Sequence, residues 1–343
     1  MDNLTISELA QCNGLTGPTW IDLDDAPWLS DDVLQRAAER AGERTGILVG
    51  RSRNPVPERA RRLIEALTTT LAPGGPGRAW VTPPATLLKA SAQVESTLAR
   101  APMGAQVLDH VLHRTSSECV EAAIVVESLA YSSLQSGPEF RTWLQGRRSQ
   151  HGRIHPLGQP EAHRLVLGRA PSSAVLEIAL DRPERHNAFD AATRDVLLEA
   201  LDFVARDPTI TEVRLRGNGR SFCSGGDLDE FGTFGDPVTA HLVRVESSVG
   251  LAVHRLRDRV RPLLHGACIG AGIEIPAFAD VVSASADAWF QLPELQFGLI
   301  PGAGGTVSIR RRIGAWRTAW MAFSAERVTV AVAAQWGLVD VRL

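Results

Sequence analysis

The stretch HGACIGAGIEIPAFADVVSASADAWFQLPELQFGLIPGAGGT (265–306) decides the reading of this chain. It opens as an apolar strand and runs into Gly270-Ala271-Gly272. It then places Glu274 in the first turn of a short helix. After alternating strand pieces, Pro293-Glu294 precedes a second glycine turn, PGAGGT (301–306). Glycines suit places where backbone must turn sharply or approach a ligand closely. Twenty residues separate the two glutamates, so only the fold can bring them together.

Outward from this block, the texture from about residue 162 onward is strand alternating with helix. HRLVLGR and SAVLEIALD read as strands, and Arg182-Pro183 ends the second. Asp190 reads as the N-cap of a long helix, followed by the strand TEVRLRG (211–217). PVTAHLVRVESSVGLAVHRLRDR (237–259) reads as one long helix. Strand–helix alternation predicts an α/β domain over 161–343. Residues 1–160 read as mainly helical, with helices expected near 31–41, 57–71, 85–112 and 117–131. The turn-rich segment 71–84 separates the second and third of these. The polar, Pro/Gly-punctuated segment 145–161 is the best linker candidate.

Two further phrases precede the central block, DRPERHNAFD (181–190) and GRSFCSGGDLDEFG (219–232). In this fixed order the segments resemble the crotonase (enoyl-CoA hydratase/isomerase) superfamily. Its usual phrases are RP-x-x-x-NA, F-x-AG-x-D, GG-G-x-E and PE-x-x-x-G-x-x-PG-x-GG. The resemblance covers about residues 164–343, and the joint match is specific where any one glycine pair alone would be weak. It implies a crotonase-like ββα spiral core acting on a coenzyme A thioester through an enolate.

Such chemistry needs backbone N–H donors aimed at the thioester oxygen, each contributing about 3–4 kcal/mol to the transition state. By position in the family's phrases these donors carry over to Gly226 and Ala271. The second is usually glycine, and alanine keeps the N–H while adding a methyl group. Glu274 and Glu294 carry over as the acid/base pair, two carboxylates around one water. Arg185 resembles the basic residue near the coenzyme A phosphates. Ala188 would line the acyl-CoA channel. Ser224, Gly225, Asp227, Leu228, Gly270 and Pro293 fall within the same substrate-binding phrases, with Asp227 expected chiefly to cap structure. Pro276 departs from the family's helix-forming continuation, although proline is tolerated in a first turn.

The resemblance also implies a homo-oligomer, trimer or hexamer, and no cofactor beyond coenzyme A on the substrate. The family phrase A-x-x-A-x-x-x-GLVD has its counterpart in AVAAQWGLVD (331–340), and the helices that usually follow it are not represented. The N-terminal helical segment is expected to cover that side of the site. A hydratase or isomerase is the first expectation. A cofactor-independent arylacetyl-CoA dioxygenase, also an N-terminally extended crotonase, and a non-catalytic acyl-CoA-binding homologue are the alternatives.

Composition bounds the rest. The 343 residues allow about two domains. A 44% apolar and 22% charged composition with net charge -3 offers no basic field for nucleic acid or an anionic membrane. The N-terminal MDNLTISELAQ lacks a secretory pattern, so a cytoplasmic location is expected. The cysteines Cys12, Cys119, Cys223 and Cys268 have no metal or disulfide spacing. Cys223 beside the oxyanion phrase is read as a buried thiol rather than a nucleophile. His186 and His265 match no triad, and Trp316, Trp320 and Trp336 are read as packing. Arg310, Arg311 and Arg312 are read as a solvated helix face. Lys89 is the only lysine, so phosphate on a ligand must be met by arginine, backbone N–H groups or helix N-termini.

Overall fold

The computed structural model describes residues 1–12, 14–114, 119–151, 164–170, 173–233 and 235–343. The chain forms two compact units. The first comprises Met1–Ser116 and Ile313–Ala325, the second Ser117–Arg312 and Glu326–Leu343. The division falls at 116/117, not near residue 160. The reason is that helices from 120 to 151 bury their apolar faces within the second unit. Of the expected linker, residues 145–151 end a helix and 152–161 lie outside the described residues.

In the first unit, β1 (Asp2–Thr5), α1 (Ile6–Leu9), β2 (Thr19–Asp22), α2 (Asp31–Gly42), β3 (Leu48–Arg51), α3 (Arg61–Ala66) and β4 (Thr69–Leu71) alternate along the chain. α4 (Leu87–Arg100) and α5 (Pro102–Arg114) follow. The strands form a parallel sheet in the order β1-β2-β3-β4. This sheet was absent from the sequence reading. Its strands are three or four residues long, too short to display a period of two. The helix expected over 57–71 ends at Ala66, because Thr68, Thr69 and Thr70 favour extended backbone and enter the sheet region. Ser30 caps α2 as expected, accepting from Val33 N. The helix Ala315–Ser324 packs against α4, α5 and β4 in this unit. It buries Trp320, Met321 and Phe323.

The second unit begins with α6 (Val120–Gln135) and α7 (Pro138–His151), separated at Gly137-Pro138. Then come β5 (Leu165–Gly168), β6 (Val175–Leu180), α8 (Ala191–Arg206), β7 (Glu212–Gly217), α9 (Pro237–Glu246), α10 (Val249–Arg255), β8 (Val260–Leu264), β9 (Ala267–Ile269), α11 (Ala271–Glu274), β10 (Ser283–Ala284), β11 (Trp289–Gln291) and α12 (Gly305–Ile313). After α13, the helix Ala315–Ser324 of the first unit, come β12 (Val328–Thr329), α14 (Val330–Trp336) and β13 (Val341–Arg342). A six-stranded sheet runs β13-β10-β8-β7-β6-β5, parallel except for the β5–β6 pair. A small sheet β12-β11-β9 stands beside it.

The single helix expected over 237–259 is two helices. Ser247 leaves helical geometry and Ser248 caps α10, its hydroxyl accepting from Leu251 N. Serine competes for the backbone and favours such breaks. Arg312 is not on a solvated face: it donates to Ala277 O at 2.9 Å and pairs with Asp340 at 2.9 Å. Trp320 and Trp336 are buried, as packing residues should be. Among the described residues no helix is long and apolar enough to cross a membrane.

Candidate active site

Three segments are hydrogen-bonded edge to edge, the third of them continuing β9 of the small sheet. Phe189 N donates to Gly225 O at 2.8 Å and Asp227 N to Phe189 O at 2.9 Å. Ile269 N donates to Cys223 O at 3.0 Å, and Gly270 N to Gln291 O at 3.0 Å. Asn187 locks the first loop against the second. Its Oδ1 accepts from Arg182 N at 2.8 Å, while its Nδ2 donates to the carbonyls of Asn218 and Ser221 at 2.9 Å each. Asn187 and His186 both have positive φ, a conformation that asparagine tolerates better than most residues. Gly226 and Ala271 therefore sit on neighbouring backbone runs. Among the described hydrogen bonds, neither N–H has an acceptor within the protein.

Gly270 turns the chain from β9 into α11 at φ +50, where a side chain would be strained. A Cβ there would lie 2.7 Å from Glu294 Oε1 and 3.6 Å from Glu274 Oε1. The two carboxylates thus flank one point, above the glycine that links them. Pro276 starts a separate 3-10 turn immediately after α11 and leaves Glu274 in that single helical turn.

The local chemistry of the two glutamates differs. Glu274 Oε2 accepts from Ala303 N at 2.8 Å and Gly305 N at 2.9 Å. Glu294 Oε2 is buried and has no hydrogen-bond partner among the described residues. Burial pushes Glu274 well above the carboxylate range, reinforced by the facing charges of Glu294 and Glu127. Burial likewise pushes Glu294 up to about 8. Two close carboxylates in a desolvated site resist carrying two negative charges, so the pair retains a proton near neutrality. Burial and the facing Glu294 charge raise Glu274 further than Glu294, but Glu274 accepts two N–H bonds where Glu294 Oε2 accepts none, and we assign the anion to Glu274 and the proton to Glu294 on that donor geometry.

A cavity of about 290 Å³ is lined by Glu274, Glu294, Gly226 and Ala271 together. The structure thus unites all four residues expected to be catalytic. Of the others, Arg185, Ala188, Ser224, Gly225, Asp227, Leu228, Gly270 and Pro293 do not line this cavity. Gly225 and Gly270 face each other closely, since a Cβ added at Gly270 would lie 3.8 Å from Gly225 Cα. Arg185 is held by Asp227 at 3.0 Å and Asp229 at 2.6 Å. Asp227 also receives Arg182 at 3.3 Å, so it knits loops together rather than capping a helix. Cys223 is buried with its thiol pushed up to about 12, which removes it as a thiolate nucleophile. His186 meets Ser221 Oγ and His265 meets Gly219 O, each at 3.1 Å, as satisfied histidines do.

One wall of the cavity comes from α6, a helix that sequence reasoning assigned to the N-terminal extension. Glu127, Tyr131, Ile124 and Ser128 line it. The ring of Tyr131 lies under the Arg244 guanidinium, 4.7 Å from its centroid. Arg244 in turn donates to Ser128 Oγ at 3.2 Å and Gln135 Oε1 at 3.2 Å, tying α9 to α6. Glu127 is the residue sequence reasoning missed. Its one legible signal was position: a carboxylate at helical spacing among Val120, Ala123, Ile124 and Tyr131 on a buried stripe.

Comparison with known proteins bears on the same segment. The model of the family described as enoyl-CoA hydratase/isomerase matches residues 170–342. A mevalonyl-coenzyme A hydratase of Aspergillus fumigatus is 31% identical over 183 residues, 52% of this chain and 68% of the relative. A 2,3-dehydroadipyl-CoA hydratase of Escherichia coli is 35% identical over 169 residues, 48% of this chain and 64% of the relative. Among solved structures, an enoyl-CoA hydratase of Mycobacterium smegmatis shares 29% identity over 53% of this chain and 70% of its own, with a TM-score of 0.49. The chain thus spans roughly two thirds of the length of the relatives it matches.

Proposed function

Because this chain belongs to the enoyl-CoA hydratase/isomerase family, we propose that it adds water to, or moves the double bond of, an enoyl-CoA thioester through an oxyanion-stabilised enolate. The observation that carries this reading is the pair Glu274 and Glu294 flanking one point in a cavity that the Gly226 and Ala271 backbones also line.

In the hydration direction the thioester oxygen accepts from Gly226 N–H and Ala271 N–H. Those donors are fixed before reaction, so little reorganisation opposes the growing charge. Ionised Glu274 takes a proton from water as the water oxygen bonds to the β-carbon. The electron pair of the double bond moves onto the thioester as an enolate. Protonated Glu294 then delivers its proton to the α-carbon, collapsing the enolate to the 3-hydroxyacyl thioester. Isomerisation uses the same enolate, with one glutamate moving a proton between carbons. The coenzyme A thioester is the substrate's own activation, and no further cofactor enters this scheme. A trimer or hexamer in the cytoplasm is part of the same proposal.

The test is incubation with crotonyl-CoA while following loss of the enoyl thioester absorbance. Oxygen uptake with an arylacetyl-CoA is measured in parallel. Hydration or isomerisation without oxygen uptake supports the reading, whereas oxygen uptake alone replaces it with the dioxygenase. Glu274→Gln and Glu294→Gln should each lower turnover by about 10²-fold or more. Biological function undiminished in both would favour an acyl-CoA-binding role instead.

A further inference from the structure

The glycine turn that opens α12 presents four successive N–H groups, and two carboxylates divide them alternately. Ala303 N and Gly305 N donate to Glu274. Gly304 N donates to Glu127 Oε1 at 2.7 Å, and Thr306 N to Glu127 Oε2 at 2.9 Å. Thr306 Oγ1 adds a third donor to Glu127 Oε2 at 2.6 Å. Glu127 is only 2% exposed and sits on α6, outside the segment matched by the family model. We propose that Glu127 is a positioning residue of this site: by gripping Gly304 and Thr306 from one side, it holds the turn so that Ala303 and Gly305 face Glu274 from the other. This inference rests on the acid/base reading of Glu274 and Glu294.

A buried carboxylate on an apolar helix stripe is costly unless several donors receive it. The three donors of the turn and the start of α12, a helix of nine residues, supply that compensation. The dependence is mutual. Without Glu127, two buried N–H groups and the hydroxyl of a nearly inaccessible threonine lose their acceptor. The turn would then re-aim, and the neighbouring donors would leave Glu274. The charged and titratable groups facing Glu127 are Glu274 from α11, Glu294 after β11, Arg244 from α9 and Tyr131 on α6 itself. Glu127 therefore also adds negative charge to the surroundings of the acid/base pair.

The experiment compares full-length Glu127→Gln, Glu127→Asp and Thr306→Val with wild type on an enoyl-CoA that wild type turns over, from acid to alkaline pH. With Glu127→Gln, kcat should fall on the order of 10²-fold, the cost of slight misplacement of a catalytic group, while KM stays near wild type. The alkaline limb set by Glu294 should move to lower pH, because a neighbouring negative charge is gone. Glu127→Asp keeps the charge but shortens the reach, so the limb should stay while kcat remains low. A merely structural role would lower Tm and leave both kcat and the limb in place, which would overturn the proposal. If Glu127→Gln does not fold, Thr306→Val decides: a smaller fall in kcat at unchanged KM supports positioning, and an unchanged kcat overturns it. Glu274→Gln and Glu294→Gln run alongside. Full turnover in those two would remove the acid/base reading itself. Their loss, with Glu127→Gln unaffected, would remove only the proposal made here.

Discussion

Glu294 holds its proton because burial strips water from a carboxylate whose Oε2 finds no donor among the described residues. A proton donor with a pKa of about 8 fixes one limb of the pH profile. kcat/KM for hydration should therefore fall as pH rises through about 8, and Glu294→Asp should retain a limb that Glu294→Gln lacks. Initial rates across pH would check this. Glu274 depends on a different local feature, the absence of a side chain at Gly305. A Cβ there would meet Glu274 Cγ at 2.6 Å, so Gly305→Ala must displace either the carboxylate or the turn. Activity should drop on the order of 10²-fold with the fold retained, as far-UV circular dichroism beside kinetics would show. Glu274, Glu294, Gly226 and Ala271 were all legible in the sequence because each lies inside a short phrase whose neighbours constrain it. Glu127 was not. Its partners Gly304 and Thr306 lie 177 and 179 residues away, and nothing local marks a helix glutamate as buried beyond its place on an apolar stripe.

At the scale of elements, α8 begins at a junction rather than a simple cap. Asp190 Oδ1 accepts from Thr193 N at 2.8 Å, as a cap should. Its Oδ2 meets Arg164 at 3.0 Å and Arg182 at 2.9 Å, all three side chains being largely buried. Asp190→Ala removes the cap and leaves buried guanidinium charge less compensated, so it should cost about 3 kcal/mol, visible as a lower urea midpoint. The cap was readable from the sequence, whereas the ion pairs were not, since Arg164 reaches Asp190 only through the β5–β6 hairpin. The same contrast explains the misread elements. Helices such as α2 and α4 announce themselves through caps and a long apolar stripe. The strands β1 to β4 are too short to announce anything, and the Ser247-Ser248 break interrupts a run with no proline or glycine between Val238 and Val249 to mark it.

Three buried glutamates among the described residues of the second unit make the stability of the protein depend on pH. Glu127 is pushed up to about 7, Glu294 to about 8, and Glu274 well above the usual range, each chiefly by burial. A carboxylate whose folded pKa is raised binds its proton more tightly when folded. Its stabilising contribution is complete below the unfolded value of 4.5 and is lost as pH rises through the folded value. Tm should accordingly decline from mildly acid toward mildly alkaline pH, and Glu294→Gln, which cannot ionise, should flatten that decline. Thermal melts across that window would test it, and a Tm that rises over the same span would contradict it.

Truncation tests how the two units are built from one chain. Deleting residues 1–150 removes α6 and nearly all of α7, both part of the second unit, and with α6 go Glu127 and Tyr131 of the cavity wall. That deletion should abolish turnover even where protein is recovered. Deleting only Met1–Ser116 keeps α6, yet it strips α13 of the sheet and helices against which it packs. Trp320, Met321 and Phe323 are each 2% exposed or less in the intact chain. Exposing side chains of this kind costs about 1.5–3 kcal/mol apiece and creates an apolar patch that promotes association. The 117–343 fragment should therefore bind a hydrophobic dye and elute as aggregate in size-exclusion chromatography. Replacing the three with polar residues should restore solubility. A dye-silent, monodisperse and active 117–343 fragment would show that α13 does not need the first unit's core.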